Sequence, residues 1–141
     1  MFNGIIIVDH GSRVAESNAL LERLAVAFAA RYKDRFTVVE PAHMEIAEPS
    51  IGTAYKKCVE RGAERVIVCP FFLGPGKHWT HDIPRLTAEA AARYPATRFH
   101  ITSPLGIDDL ILDLIAKRAG HCVEHEFLCD DCRGTNRSGE K

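Results

Sequence analysis

The sequence lacks several features that would each place the protein in a different functional class. It has no apolar run near the ~20 residues that cross a bilayer, and no phosphate-loop or dinucleotide-binding glycine pattern. It also lacks a charge imbalance, since 18 basic and 19 acidic residues give a formal net charge of −1. We therefore expect no membrane or nucleic-acid partner, and local arginines and lysines must hold any anionic ligand.

The size and composition are those of one globular domain with a short extension. Of the 141 residues, 46% are hydrophobic, which is enough to form a buried core. An apolar strand is predicted to begin within a few residues of the N-terminus, which leaves no room for a signal peptide. We therefore expect a cytosolic protein.

Short β-branched runs alternate with longer helical stretches, a pattern typical of repeated βα units. Strands connected by helices run parallel with right-handed crossovers. We therefore predict an α/β fold: a flavodoxin-like open parallel sheet of four strands in the order 2-1-3-4, with helices on both faces. The predicted strands cover residues 4–9, 36–39, 66–73 and 98–102, and the predicted helices cover 16–33, 50–62, 82–94 and 108–119. Residues 1–120 form this predicted domain, and residues 121–141 a tail containing cysteine and histidine.

Two histidines follow predicted strands in glycine-bearing turns. His10 comes directly after the first strand, and His78 follows the third. Taken alone, each one is better explained as a turn histidine bonded to the backbone. In the order 2-1-3-4, however, both lie beside the crevice between strands one and three, where ligands bind in open α/β sheets. We predict that His10 and His78 face each other there and perform metal or acid–base chemistry, with Glu45 joining the same rim from beyond strand two.

Other polar residues near these turns have simpler interpretations. His43 is interpreted as structural, and Glu48 as an acidic group that favours the N-terminus of the second helix. His81 follows His78 by one helical turn and either supports it or is solvated.

Five cysteines are present, and three of them lie close together near the C-terminus. Cys58 and Cys69 fall in predicted core positions, where a free thiol packs as a small hydrophobe. The C-terminal group combines C-x2-H with C-x2-C, a workable zinc set, and three cysteines also suit an iron–sulfur cluster. A flexible tail with solvated thiols is the alternative. The candidate ligands are Cys122, His125, Cys129 and Cys132.

Three stretches of the sequence resemble the signatures of one enzyme family. They are residues 8–13 (VDHGSR), 41–51 (PAHMEIAEPSI) and 70–84 (PFFLGPGKHWTHDIP). Together, in this order and spacing, they look like the motifs of small class II tetrapyrrole chelatases, and most of all those of sirohydrochlorin chelatases. The resemblance extends from residue 5 to about residue 136.

This resemblance implies insertion of Fe2+ or Co2+ into sirohydrochlorin, toward siroheme or cobalamin, without a nucleotide. It implies that His10 and His78 handle the metal, that Glu45 is their acidic partner, and that the protein forms a homodimer. The tail resembles that of plant and cyanobacterial-type members, some of which carry an iron–sulfur cluster. A further cysteine of such tails is replaced here, where Arg137 and Ser138 stand.

The chemistry of the residues suits this activity. Imidazole holds a divalent ion and releases it more readily than thiolate does, and a histidine or Glu45 can accept the pyrrole protons that the ion displaces. The carboxylates of sirohydrochlorin require local partners, for which we predict Ser12, Arg13, Lys77 and Arg85. The alternative function is a non-catalytic metal-binding or metal-delivery module that uses the same histidines and the tail.

Overall fold

The computed structural model divides the chain into two compact units, residues 1–106 and residues 107–141. The structure describes residues 2–74 and 76–137, and of residues 77–79 it describes the backbone alone. No helix in this described part is long and apolar enough to span a membrane.

The first unit is an open sheet of four parallel strands in the order β2-β1-β3-β4, so the predicted fold is confirmed. Its elements are β1 Asn3–Asp9, α1 Ala15–Arg31, β2 Val38–His43, α2 Ile51–Glu60, β3 Arg65–Pro70, α3 Lys77–Ala92 and β4 Arg98–Ile101. Because all strands are parallel, their carboxyl ends lie at one edge of the sheet.

The central strand β1 is buried on both faces, because its side chains alternate between two cores. Ile6 and Val8 belong to the larger core, which the residues of α2 and α3 complete. Ile5 and Ile7 belong to the smaller core, together with Leu21 of α1. Helices therefore cover both faces of the sheet at β1, as predicted.

The start of α2 follows from its capping residue. The Ser50 hydroxyl oxygen accepts a hydrogen bond from the Thr53 N–H at 3.2 Å, which satisfies one of the free donors of the first turn. After the helix, Gly62 has φ +97°, a left-handed conformation that ends many helices. The predicted limits of this helix are thus correct to within a residue or two.

Two predicted strands have different limits in the structure. β2 covers Val38–His43 instead of residues 36–39, because it is an edge strand and such a strand continues through a proline such as Pro41. β3 ends at Pro70 and not at residue 73, although the next N–H, that of Phe71, still donates to the Val8 carbonyl at 2.7 Å.

The first and third helices also correct the sequence prediction. α3 begins at Lys77 and not near residue 82, so Pro84 lies inside the helix. Its first turn is already closed by the Thr80 N–H, which donates to the Gly76 carbonyl at 3.1 Å. α1 ends at Arg31 and not at residue 33, and of its two adjacent leucines Leu21 is 3% exposed whereas Leu20 is 59% exposed.

The second unit contains α4, Asp109–Glu124. The Asp108 carboxylate caps this helix by accepting the Leu110 N–H at 2.9 Å. α4 continues past its predicted end at residue 119, because Gly120 is accommodated within the helix instead of ending it. The predicted boundary after residue 120 falls inside α4, and the division into a domain and a tail stays a prediction.

Candidate active site

The ends of β1 and β2 meet at the carboxyl edge of the sheet. Asp9 and His43 are direct partners in the parallel register. Beyond them, the Met44 N–H donates to the Asp9 carbonyl at 2.8 Å, and the Glu45 N–H donates to the His10 carbonyl at 3.1 Å. The loop after β2 is therefore bonded residue by residue to the loop after β1.

This pairing brings together two of the predicted site residues. His10 Nε2 lies 3.0 Å from Glu45 Oε1, and the two side chains are 49% and 58% exposed. His10 Nδ1 faces the Gly11 carbonyl at 3.3 Å. An imidazole nitrogen and a carboxylate oxygen thus lie side by side at the predicted ligand-binding edge, open to solvent.

Gly11 allows the close approach of the two loops. Its φ of +95° lies in the left-handed region, and a β-carbon built on it would overlap the Glu45 carbonyl oxygen. The same β-carbon would lie 3.2 Å from His43 Cβ. Glycine is therefore required here both by backbone conformation and by space.

The turn that carries Ser12 and Arg13 is fixed by an asparagine of α1. The Ser12 N–H donates to Asn18 Oδ1 at 2.9 Å, and Asn18 Nδ2 donates to the Ser12 carbonyl at 2.7 Å. The Ser12 hydroxyl accepts the Val14 N–H at 3.0 Å, whereas the Arg13 side chain is exposed. Sequence reasoning missed Asn18, because an asparagine in a helix gives no signal about a loop six residues earlier.

Asp9 and His43 form a second histidine–carboxylate pair behind the first. His43 Nδ1 lies 2.6 Å from Asp9 Oδ1, and the side chains are 0% and 25% exposed. His43 was interpreted as structural, and its complete burial agrees with that. Its proximity to Glu45 in the sequence does not give the two side chains the same environment, since the Glu45 side chain is exposed.

Glu48 belongs to the start of α2, as predicted. Its Oε1 accepts the Thr53 hydroxyl at 2.8 Å and the Ser50 N–H at 3.2 Å. The two acidic groups of the 41–51 stretch therefore have separate roles, one beside His10 and the other at a helix N-terminus.

The remaining predicted substrate and metal residues lie on α3. His78 and Lys77 are in its first turn, and the positions of their side chains lie outside the described part of the structure. Arg85 pairs on its own helix with Glu89 at 3.1 Å and Asp82 at 3.6 Å. The meeting of His78 with His10 and the substrate contacts stay predictions.

The second unit brings together a ligand set that only partly matches the predicted one. One ligand atom each from His121, Cys129 and Asp131 lies within 4.8 Å of the others. A hydrogen bond with Cys129, followed by burial, raises the pKa of the Cys132 thiol. His125 instead donates from Nδ1 to the His121 carbonyl, 2.8 Å away. Sequence spacing could not select His121 or Asp131, because the turn after α4 determines which side chains meet.

A cavity of about 800 Å³ surrounds this set in the second unit, and its lining includes Cys122 and Arg137 as well as His121, Cys129 and Cys132.

The other two cysteines, Cys58 and Cys69, are core thiols, as predicted. Burial raises the pKa of Cys58 to about 12 and also raises that of Cys69.

Comparison with known proteins gives consistent matches. Residues 4–122 match the family model described as CbiX. Over 139 residues the chain is 51% identical to "Sirohydrochlorin ferrochelatase, chloroplastic" of Arabidopsis thaliana, covering 96% of this chain and 61% of that protein. It is 34% identical to "Sirohydrochlorin cobaltochelatase" of Sulfolobus acidocaldarius over 123 residues, covering 87% of this chain and 94% of that one.

Solved structures agree with the fold. The structure described as SirB from Bacillus subtilis with Fe3+ superposes with a TM-score of 0.77 at 32% identity, covering 84% of this chain and 46% of that chain. The chain thus spans less than two thirds of the Arabidopsis relative and about half of the Bacillus one.

Proposed function

The chain belongs to the CbiX family, and on that basis we propose that it is a sirohydrochlorin chelatase. It inserts Fe2+ or Co2+ into sirohydrochlorin without a nucleotide, and is therefore a lyase of siroheme or cobalamin biosynthesis. The names of the Arabidopsis and Sulfolobus relatives support this reaction. Relatives named ferrochelatase and relatives named cobaltochelatase both match the chain, so the insertion experiment decides between Fe2+ and Co2+.

The observation that carries the proposal is the contact between His10 and Glu45. An imidazole nitrogen and a carboxylate oxygen 3.0 Å apart provide two ligands that suit Fe2+ and Co2+. The backbone bonds between their loops hold the pair in place before an ion arrives. In this proposal His78 supplies a further ligand from α3.

The reaction exchanges protons for the ion. Each divalent ion that enters the macrocycle displaces two pyrrole protons, so charge balances without any oxidation or reduction. Glu45 and His10 lie where the ion is delivered, and either can accept a proton. Ion delivery and proton removal therefore take place at the same pair of side chains.

The carboxylates of the substrate need partners around this pair. Arg13 is exposed beside His10, on the turn that Asn18 fixes. We propose that Ser12, Arg13 and Lys77 bind substrate carboxylates. Arg85 joins them by exchanging one of its helical ion pairs, since exposed pairs of this kind contribute little free energy.

The second candidate function is a metal-delivery module without turnover. It is favoured by the same contact, since His10 and Glu45 can hold an ion with no tetrapyrrole present. The two functions differ in whether the protein binds sirohydrochlorin and accelerates insertion.

The decisive experiment is anaerobic absorbance of sirohydrochlorin with Fe2+ or Co2+, with and without the protein. A no-enzyme control is essential because cobalt inserts spontaneously. We expect acceleration that His10→Ala and His78→Ala each abolish while the fold is retained. A folded wild-type protein that gives only the control rate would overturn the chelatase proposal and favour the delivery module.

We also propose that the protein is a homodimer. The chain covers 46% of the Bacillus SirB chain, so two copies approximate its length. Leu110, Leu112 and Ile115 of α4 are 77%, 53% and 61% exposed, a large apolar exposure for one helix. Light scattering should give twice the monomer mass, and Ile115→Glu should lower it. A monomeric wild-type protein at micromolar concentration would contradict the proposal.

The second unit is proposed to bind zinc or an iron–sulfur cluster. Cys129 and Cys132 are its central ligands, supplemented by His121 and Asp131 or by Cys122 and His125. Metal analysis of anaerobically purified protein, with visible absorbance, distinguishes colourless zinc from a brown cluster. Cys129→Ala combined with Cys132→Ala should remove the metal and leave chelatase activity. Equal metal content in wild type and double variant would exclude this site.

The cytosolic location stays a prediction, since the Arabidopsis relative is named chloroplastic.

A further inference from the structure

His43 is a buried polar residue that the proposed reaction does not use directly. Its side chain is 0% exposed, and its Nδ1 lies 2.6 Å from Asp9 Oδ1. Among the described residues, its Nε2 has no hydrogen-bond partner. The imidazole is therefore held by one short hydrogen bond on one side and by packing on the other.

The Asp9–His43 pair lies immediately behind the candidate site. Asp9 is the last residue of β1 and precedes His10, whereas His43 is the last residue of β2 and precedes Glu45 by two positions. The pair is thus a side-chain bond between the ends of the same two strands whose loops carry His10 and Glu45.

The buried pair is better able to fix the distance between the strand ends than the outer pair is. His10 and Glu45 are about half exposed, at 49% and 58%, and exposed pairs hold their geometry weakly. The inner hydrogen bond is shorter, and water does not reach the imidazole. Breaking it leaves the Asp9 carboxylate without that partner at a partly buried position.

Since Nε2 has no partner among the described residues, the role of the His43 ring differs from simple packing. A buried ring nitrogen without a partner lowers the stability of the fold. An apolar side chain of similar size would fill the same space without this penalty. What the apolar side chain lacks is the hydrogen bond from Nδ1 to Asp9.

We propose that His43 is a positioning residue for metal binding: through Asp9 it sets the separation of the β1 and β2 ends, and thereby that of His10 Nε2 and Glu45 Oε1. Its complete burial means that it acts through Asp9 and not by touching the ion or the tetrapyrrole. The inference rests on the proposed function, in which His10 and Glu45 bind the metal substrate.

Two substitutions separate the hydrogen bond from the volume. His43→Leu fills the space but has no donor, whereas His43→Asn places an amide donor near the position of Nδ1. Ile51→Ala is the matched control, because Ile51 is 1% exposed in the same core and close in sequence to the loop after β2, but makes no bond to Asp9.

The first measurement is structural and independent of activity. In a crystal structure of metal-free full-length His43→Leu, we expect the separation of His10 Nε2 and Glu45 Oε1 to exceed hydrogen-bonding distance. His43→Asn and Ile51→Ala should retain the contact. An unchanged contact in His43→Leu would overturn the proposal, whatever the activity of the wild-type protein.

The second measurement is Co2+ binding to the metal-free variants by calorimetry, with steady-state insertion rates. Groups hydrogen-bonded to a metal ligand contribute about 10- to 100-fold in affinity. Because His43 acts indirectly through Asp9, His43→Leu should raise the Kd and the KM for the metal by about 10-fold, the lower end of that range. The KM for sirohydrochlorin should change less, and His43→Asn should restore most of the metal affinity. If Ile51→Ala and His43→Leu have similar Tm values and lose the same metal affinity, His43 acts only by packing, and the proposal is overturned.

If the wild-type protein binds no Co2+, the proposed function fails, and the crystallographic comparison still decides the role of His43.

Discussion

A β-carbon on Gly11 would overlap the backbone carbonyl oxygen of Glu45, the residue whose carboxylate contacts His10. The close approach of the two loops and the contact between their side chains therefore depend on the same glycine. A larger side chain at residue 11 would therefore also change the distance between His10 and Glu45.

Gly11→Ala should disrupt the site and destabilise the fold. The left-handed conformation and the overlap together cost about 2–5 kcal/mol, and relief of the overlap requires the Glu45 loop to move. We expect loss of metal insertion and a lower free energy of unfolding in urea. Gly62→Ala is the control, since Gly62 has φ +97° but no atom within 4 Å of the added carbon. It should cost only about 1–2 kcal/mol and retain activity. Equal activity in the two variants would contradict the prediction.

Glu45→Gln should lower the activity, whereas Glu48→Gln should leave it unchanged. In the proposed function Glu45 contributes a charged ligand and a proton acceptor beside His10, so its loss should lower kcat/KM by about 100-fold or more. Glu48 caps α2 through Thr53 and Ser50, and its substitution should cost about 0.5 kcal/mol of stability with no loss of insertion. Insertion rates and thermal unfolding of both variants provide the measurement. If only Glu48→Gln lost activity, the proposed roles of Glu45 at the site and Glu48 at the start of α2 would be wrong.

Asn18→Ala should loosen the turn that presents Arg13. It removes both hydrogen bonds to the Ser12 backbone, which should lower the free energy of unfolding by about 1–2 kcal/mol. Because the turn is proposed to bind substrate carboxylates, the KM for sirohydrochlorin should rise more than the KM for the metal. Ser17→Ala, at the exposed neighbouring position, serves as the control and should match the wild-type protein. A KM increase for the metal alone would place Asn18 with the ion site instead.

Cys58 should make the protein less stable in alkali. Burial, followed by the nearby negative charge of Glu40, raises the pKa of its thiol from 9.0 to about 12. Between these values the unfolded thiol ionises while the folded one stays protonated, so stability is present below pH 9.0 and is lost as the pH rises above it.

The expected loss from this one group approaches about 1.4 kcal/mol per pH unit. It is measured by urea unfolding from about pH 8 to about pH 10.5. Cys58→Ala should be less stable at neutral pH, because it leaves a cavity, but should lose less stability on the way to alkaline pH. Parallel pH profiles for the two proteins would show that Cys58 does not contribute.

The strand order was predictable because it depends on repeated βα units and on the handedness of their connections. The position of His10 and Glu45 at one edge followed from that order, since both residues lie beyond the carboxyl ends of neighbouring parallel strands. The start of α2 close to residue 50 was predictable because Pro49 and Ser50 are local signals of a helix start; Ser50 is the N-cap and Ile51 the first helical residue.

The remaining features depend on contacts between distant parts of the chain. Proline signals alone cannot show that β2 is an edge strand able to include Pro41, or that α3 has already formed a turn before Pro84. The Asp9–His43 bond requires the register of two strands, which periodicity does not give. For the same reason, the meeting of His121 with Cys129 was not predictable from spacing.

The exposure of the His10–Glu45 pair bears on how long an ion stays there. In the proposed site, His10, Glu45 and His78 would still leave several coordination positions of Fe2+ or Co2+ to water or substrate, and such positions exchange. Solvent reaches the side chains of both His10 and Glu45, so an ion held by them is accessible to water. Residence should therefore be short, which suits a site that passes its ion onward and contrasts with a closed structural centre.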